Sequence, residues 1–293
     1  MTDAEVFAEH RSLLFTVAYE ILGSAADAED VVQETYLRWS GRPAGPVDNP
    51  RAYLVRIATR QALNRTRTLA RQREDYVGPW LPEPVLTAPD VMDDVLLAES
   101  VSMAMLVVLE SLSPAERAVF VLREVFGYDY DEIAGAVDRS AVAVRQIAHR
   151  AREHVQARRP RFEPDRQTVN AVRQKFLESM FSGDVQGLMD VLAPDVVLLS
   201  DGGGKRSAAR RPVRGADDVA RFLVGLVRKG GQDGVIEDIQ INGAPAWVLL
   251  VDGRPEAISQ LVIEDGTVVQ LFVVVNPDKL ASLAHTRELT LDS

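Results

Sequence analysis

The stretch from Arg139 to Arg161 carries seven arginines and one glutamate, in a chain of 293 residues with a formal net charge of -10. An acidic protein repels polyanions. A basic segment this concentrated therefore has a local purpose, and nucleic-acid phosphate is the usual one. The segment is also patterned as a helix. Val144, Ala148, Ala151 and Val155 recur at helical spacing as one apolar stripe, with Arg145, Gln146, His149, Arg150 and Arg152 largely outside it. Just upstream, Asp129 and Glu132 form a capping-box pattern ahead of Ile133, Ala134 and Val137. Asp138-Arg139-Ser140 then makes a short turn whose serine can cap the next helix. Two short helices joined by a tight turn, the second rich in Arg, Gln and His, is the helix-turn-helix plan. A helical hairpin with a solvated basic face fits the same residues taken alone.

The length leads us to expect two or three domains. Hydrophobic residues at 46% and charged residues at 26% are ordinary for globular material. No apolar run approaches bilayer length, and the acidic start Met1-Thr-Asp-Ala-Glu-Val-Phe lacks a secretory pattern. With no cysteine and only His10, His149, His154 and His285, neither disulfides nor a cysteine- or histidine-rich metal site is expected. We expect no cofactor, no membrane partner and a cytoplasmic location.

The chain begins as three helices, over 3–22, from Ser24 to about Trp39, and from Arg51 to about Arg73. Asn49-Pro50 is a strong start signal for the third. That third helix holds Arg51, Arg56, Arg60, Arg65, Arg67, Arg71 and Arg73 and no acid, whereas the second places Asp27, Asp30 and Glu34 on one face. Residues 76–92 read as a proline-rich linker, in which Trp80 and Leu81 are too costly to leave in water and are expected to dock. Helices are expected at about 93–110 and 114–126, the latter opened by the capping box Ser113-Pro-Ala-Glu116. Beyond Pro160 the spacing predicts helices over 165–182, 184–193 and 216–229, and strands at 196–199, 235–241, 246–251, 257–263 and 267–275. Asn242-Gly243, Asp252-Gly253 and Asp265-Gly266 separate the last four strands and are hairpin signals. Helices followed by an antiparallel meander indicate a separate α+β domain.

Several segments together resemble the extracytoplasmic-function group of bacterial RNA polymerase sigma factors. They are Asp27-Ala-Glu-Asp-Val-Val-Gln-Glu-Thr-Tyr-Leu-Arg-Trp39, Asn49 through Ala58, Leu112 through Arg123, and Tyr130 through Arg152. The remainder resembles the SnoaL-like branch of the nuclear-transport-factor-two-like fold. Trp80-Leu-Pro-Glu-Pro84, Asp201-Gly-Gly-Gly-Lys205 and Asn276-Pro-Asp-Lys-Leu280 are similar to marker motifs of a sigma subgroup with that extension. The resemblance implies two all-α sigma domains, a helical bundle and a helix-turn-helix, followed by an α+β cone-shaped SnoaL-like domain. The implied divisions are 1–75, a linker over 76–92, 93–162, 165–285 and a tail over 286–293.

The same resemblance assigns residues. Asp27, Asp30, Gln33 and Glu34 would bind core RNA polymerase. Arg51, Arg56, Arg60, Gln61, Asn64 and Arg67 would meet the promoter element near minus ten. Arg145, Gln146, His149 and Arg150 would read the element near minus thirty-five, with Arg152, Arg158 and Arg159 holding phosphate or lying solvated. Trp80, Leu81, Pro82, Asp201, Gly202, Gly203, Gly204, Lys205, Asn276, Pro277, Asp278 and Lys279 would make regulatory contacts. The partners implied are core polymerase, promoter DNA and a small ligand in the cone, and the free protein is expected to be a monomer.

The glycines at 202–204 are not a phosphate loop, because Leu199 stands where the pattern needs glycine and Arg206 follows Lys205. Catalysis by Asp195, Asp201 or Asp278 is a weak reading, since none has an evident partner and His285 lies past the last strand. On sequence, a sigma factor regulated in cis by its own tail stands beside two alternatives. These are a polymerase-independent helix-turn-helix regulator and a SnoaL-like enzyme with a DNA-binding appendage.

Overall fold

The computed structural model describes residues 2–43, 45–88, 95–158, 165–229 and 234–291. The chain divides into two compact units. One gathers Met1–Asp75, Val85–Arg159 and His285–Ser293, and the other Tyr76–Pro84 and Pro160–Ala284. Of the proline-rich stretch, residues 89–92 lie outside the described residues, as do Arg159, Arg161 and the side chain of Arg71. Among the described residues no helix is long and apolar enough to cross a membrane.

The first unit is helical, and its ends are written in the sequence. α1 (Asp3–Leu22) opens on a reciprocal Thr2–Glu5 capping box and closes on Gly23 at φ 68°. Ser24 caps α2 (Ala25–Ser40). Asn49 caps α3 (Pro50–Glu74), whose Pro50 fills the first-turn position that needs no N–H donor. The helix expected over 93–110 is two short ones, α4 (Val95–Val101) and α5 (Met103–Leu109). The break is Ser102, whose hydroxyl donates back to the Glu99 carbonyl and accepts from the Met105 N–H, so it caps a second helix and ends the first. α6 (Pro114–Phe120) starts at its capping box and widens into a π turn over Val121–Val125. α7 (Tyr130–Val137) and α8 (Ala141–Gln156) are the helix-turn-helix pair, joined through Asp138 in the left-handed conformation at φ 56°.

One continuous apolar core runs through this unit. Leu14, Val17, Trp39, Leu54 and Ala58 of α1 to α3 belong to the same cluster as Leu106, Leu109, Val119, Ile133 and Val144 of α5 to α8. The first three helices and those that follow are therefore not independent modules.

The second unit holds α9 (Arg166–Ser182), α10 (Val185–Met189), α11 (Ala216–Lys229) and the short α12 (Pro277–Leu280). Its strands are β1 (Leu192–Asp201), β2 (Val213–Arg214), β3 (Val235–Ile241), β4 (Ala244–Val251), β5 (Arg254–Glu264) and β6 (Thr267–Val274). They form one sheet in the order β2-β1-β6-β5-β4-β3. β3 to β6 are the antiparallel meander, and β1 joins it parallel to β6. The hairpin residues Asn242-Gly243, Asp252-Gly253 and Asp265-Gly266 all have positive φ, as primed two-residue turns require. Val172, Phe176, Leu188, Val219 and Leu223 of the helices pack with Leu198, Trp247, Val268 and Leu271 of the sheet.

The cone expected for this domain is not formed. The sheet is open, with β2 and β3 at its edges. Closure needs two edges able to pair over several residues. β2 offers Val213 and Arg214 alone, and β3 carries Glu237 and Asp238, charges of the kind that keep an edge strand from further pairing.

Leu106 of α5 is fully buried in the core it shares with Trp39 of α2. Leu106→Ala should cost about 2–5 kcal/mol. In a variant with Trp39 as the sole tryptophan, its fluorescence should report that loss as a lower urea midpoint. An unchanged midpoint would mean that the two helical halves unfold separately.

Candidate nucleic-acid interface

The acidic face of α2 is divided by α3. Arg65 donates from Nε to Asp27 at 2.6 Å and from Nη2 to Asp30, so these two acids hold α3 in place. Glu34 and Gln33 are exposed. Leu37, one turn further on, is 68% exposed and completes an outward stripe of Asp30, Gln33, Glu34 and Leu37. Leu37 did not stand out in the sequence, although an apolar residue at i+7 from Asp30 was the available signal.

The arginines of α3 have different tasks. Arg56, Arg60, Asn64 and Arg67 are exposed along it. Gln61 is buried and, in the amide orientation that satisfies both groups, accepts from Arg38. Arg73 pairs with Glu110 and donates to the Leu22 carbonyl at 2.9 Å, a structural role. The helix-turn-helix lies against the same helix. Arg60 donates to the Gly135 carbonyl at 2.8 Å, and the guanidinium of Arg51 lies 5.2 Å from the Tyr128 ring centroid.

The end of the chain also reaches this surface. Leu289 is buried, Arg287 pairs with Glu29 and Thr290 donates to Thr16. The Leu291 carbonyl accepts from Arg51 at 3.2 Å. Nothing in the composition of this short tail pointed to α1, α2 and α3.

A polar cluster joins the two halves of the unit. Glu20 of α1 is 0% exposed and accepts from the Ser100 hydroxyl of α4 at 3.0 Å. Arg117 of α6, also buried, donates to the Glu20 backbone carbonyl at 2.7 Å and pairs with Glu110. Burial pushes the Glu20 carboxyl up to about 8, against the pull of the Ser100 hydroxyl and the Arg117 charge.

α8 turns Val144, Ala148, Ala151 and Val155 inward and leaves Arg145, Gln146, His149 and Arg150 exposed. Arg152 is held by both oxygens of Glu124, at 2.6 and 3.1 Å, which also raises its pKa. Arg158 reaches back to the His154 carbonyl at 3.3 Å. The outward face can therefore present Arg, Gln and His to a groove while the apolar stripe holds the helix on the core.

In the second unit the three motif segments meet at one carboxylate. Asp201, 0% exposed at the end of β1, accepts from the Tyr76 hydroxyl (2.5 Å), the Leu81 N–H (2.8 Å), the Gly203 N–H (3.1 Å) and Lys279 Nζ (2.7 Å). Lys279 also donates to the Leu81 carbonyl and sits 4.0 Å from the Trp80 ring centroid. Asn276 donates to the Tyr76 hydroxyl at 2.8 Å and caps α12, which begins at Pro277. Lys205 pairs with Asp278, both exposed. Leu81 and Pro82 are buried. The glycines allow this approach. At Gly203, with φ 57°, an added Cβ would collide with Asn276, and at Gly204 it would press on Val77. Gly202 has no such room either, its Cβ position lying 2.5 Å from the Arg206 carbonyl oxygen. Burial, with Asp201 beside it, raises the Tyr76 hydroxyl well above its ordinary range, so it acts as a donor.

Residues 6–72 match the model of Sigma-70 region 2, and residues 102–155 that of Sigma-70 region 4. The chain is 38% identical to the ECF RNA polymerase sigma factor SigJ of Mycobacterium tuberculosis, over 92% of this chain and 90% of that protein. It is 31% identical to a probable ECF RNA polymerase sigma factor, SigI, of the same species, over 94% and 93%. The crystal structure of Mycobacterium tuberculosis SigJ superposes with a TM-score of 0.76 at 34% identity, over 96% of this chain and 99% of that one. The chain belongs to the extracytoplasmic-function sigma factors of RNA polymerase, and is a cytoplasmic transcription-initiation factor that directs the polymerase to promoter DNA rather than an enzyme.

Proposed function

We propose that the exposed stripe of α2 binds core polymerase, that α3 and α8 contact the two promoter elements, and that the appended domain regulates these contacts in cis. The observation that carries the reading is the occupation of α3. Arg60 is bonded to α7, while Arg51 faces Tyr128 and the chain terminus. A free chain in this state cannot offer α3 fully to DNA, so core polymerase would open it. The seat of Tyr76–Pro84 supports the regulatory part, because this link between the two DNA-contacting halves is bonded to Asp201 and Lys279 of the appended domain. In this reading Asp27 acts through Arg65, and Glu34, Gln33 and Leu37 touch the polymerase. The free chain acts as a monomer. A small ligand has no place in this reading, since it was tied to a cone and the sheet is open.

The direct test compares the full chain with a 1–164 truncation for core binding and promoter-specific transcription. Both should bind core and differ in transcription. If neither binds core, the assignment of the α2 stripe fails. Polymerase-free binding of α8 to duplex DNA would then favour a simple regulator.

Asp201→Asn removes the carboxylate opposite Lys279 and leaves a buried lysine without its charge partner. That should destabilise the second unit by about 3–5 kcal/mol. Limited proteolysis should then cut within 76–84 faster than in the parent chain, as it should in Trp80→Ala. Unchanged cleavage in both variants would remove the docking role of this segment.

Glu20 gives a pH dependence. Its carboxyl ordinarily titrates at 4.5 and is raised to about 8 when buried, so the closed unit holds a proton that an opened, hydrated Glu20 releases. The advantage to the closed form is fully present below 4.5 and is lost as the pH rises through 8. A dye pair bridging α1 and α6 should report more opening at higher pH within that window. Such a pair is readily placed because the chain has no native cysteine. Glu20→Gln should flatten the response, and an unaltered slope in that variant would assign the dependence elsewhere.

A further inference from the structure

Val142 lies in the first turn of α8 and is 64% exposed. A single exposed apolar side chain usually means little. The place of this one is specific. At 3.6 residues per turn, His149 lies almost directly below it, with Arg145 and Gln146 flanking one turn on. These four form an outward stripe opposite the buried Val144, Ala148, Ala151 and Val155. A β-branched residue gains nothing for an exposed helix, and the first turn bears no acid to repel phosphate.

Residues near the N-terminus of a recognition helix reach base edges. Arginine suits guanine there and glutamine suits adenine, whereas an apolar side chain can read only the 5-methyl group of thymine. We propose that Val142 is a specificity-determining residue of the upstream promoter element and that it packs on a thymine methyl. This deepens the assignment of α8 as the reader of that element and rests on it.

The test uses holoenzyme made from the full chain and core polymerase. The preferred upstream element is first selected from a randomised library. Each thymine of its two strands is then replaced singly by deoxyuridine, which lacks only the methyl group. Wild-type initiation should fall about fourfold at one position, the equivalent of burying one methyl-sized group. Val142→Ala should be insensitive to uracil at that position and keep the same response elsewhere. A merely structural role for Val142 would not produce this pairing of one side chain with one methyl. Because the residue is exposed, the variant's melting temperature should match the parent's. If the wild type is indifferent at every thymine, or Val142→Ala loses as much as the wild type, the proposal is overturned. If Arg145→Ala and Gln146→Ala also leave the selected element unchanged, the fault lies in assigning α8 as the reader, and the proposal falls with it.

Discussion

A carboxylate with no access to water is expensive unless every oxygen is met, and Asp201 meets that requirement with groups from three distant segments. Tyr76 and Leu81 come from the stretch that leaves α3, Gly203 from the turn after β1, and Lys279 from α12. Losing the 76–84 segment would take the Tyr76 and Leu81 donors from Asp201, and the Leu81 carbonyl and the Trp80 ring from Lys279, leaving the Asp201–Lys279 pair less fully met. The segment is thus held by hydrogen bonds to a buried ion pair together with the burial of Leu81 and Pro82.

The helical unit has the opposite character. Its two halves share an apolar core, which tolerates gradual loosening, and its polar seam is not fully satisfied. Glu20 Oε2 and Arg117 Nη2 are buried and unpaired. Unmet buried polar groups of this kind cost free energy in the state that buries them. On α3, exposed Arg60 holds the Gly135 carbonyl by one hydrogen bond, and half-buried Arg51 meets the Tyr128 ring and the Leu291 carbonyl.

The local signals in the sequence were mostly sufficient for the elements. Capping boxes at Thr2 and Ser113, the αL residue Gly23 and the Asn-Gly and Asp-Gly turns each act over a few residues, and each marks a boundary in the structure. The split at Ser102 was missed because a serine within an apolar run reads as one polar position, while its capping bond depends on which carbonyl it faces. The cone was a fold-level expectation, and closure depends on edge strands, which are the shortest and least periodic parts of the pattern. For the candidate site, helical spacing revealed the exposed face of α8. It could not separate Arg65 and Arg73, which brace the fold, from Arg56 and Arg67, which face solvent, because all lie in one basic helix with no acid before Glu74. The burial of Gln61 and the role of the tail rest on tertiary contacts with no local signature.

That tail sets an order on the protein's assembly in the cell. Arg287 and Leu289 belong to the helical unit, yet they leave the ribosome after the whole appended domain. Translation at 5–20 residues per second puts on the order of ten seconds between completion of α8 and arrival of the residues that cover Glu29 and Arg51. During that interval the nascent sigma halves lack their own terminal strap. A newly made chain therefore passes once through a less restrained state before it reaches the closed one.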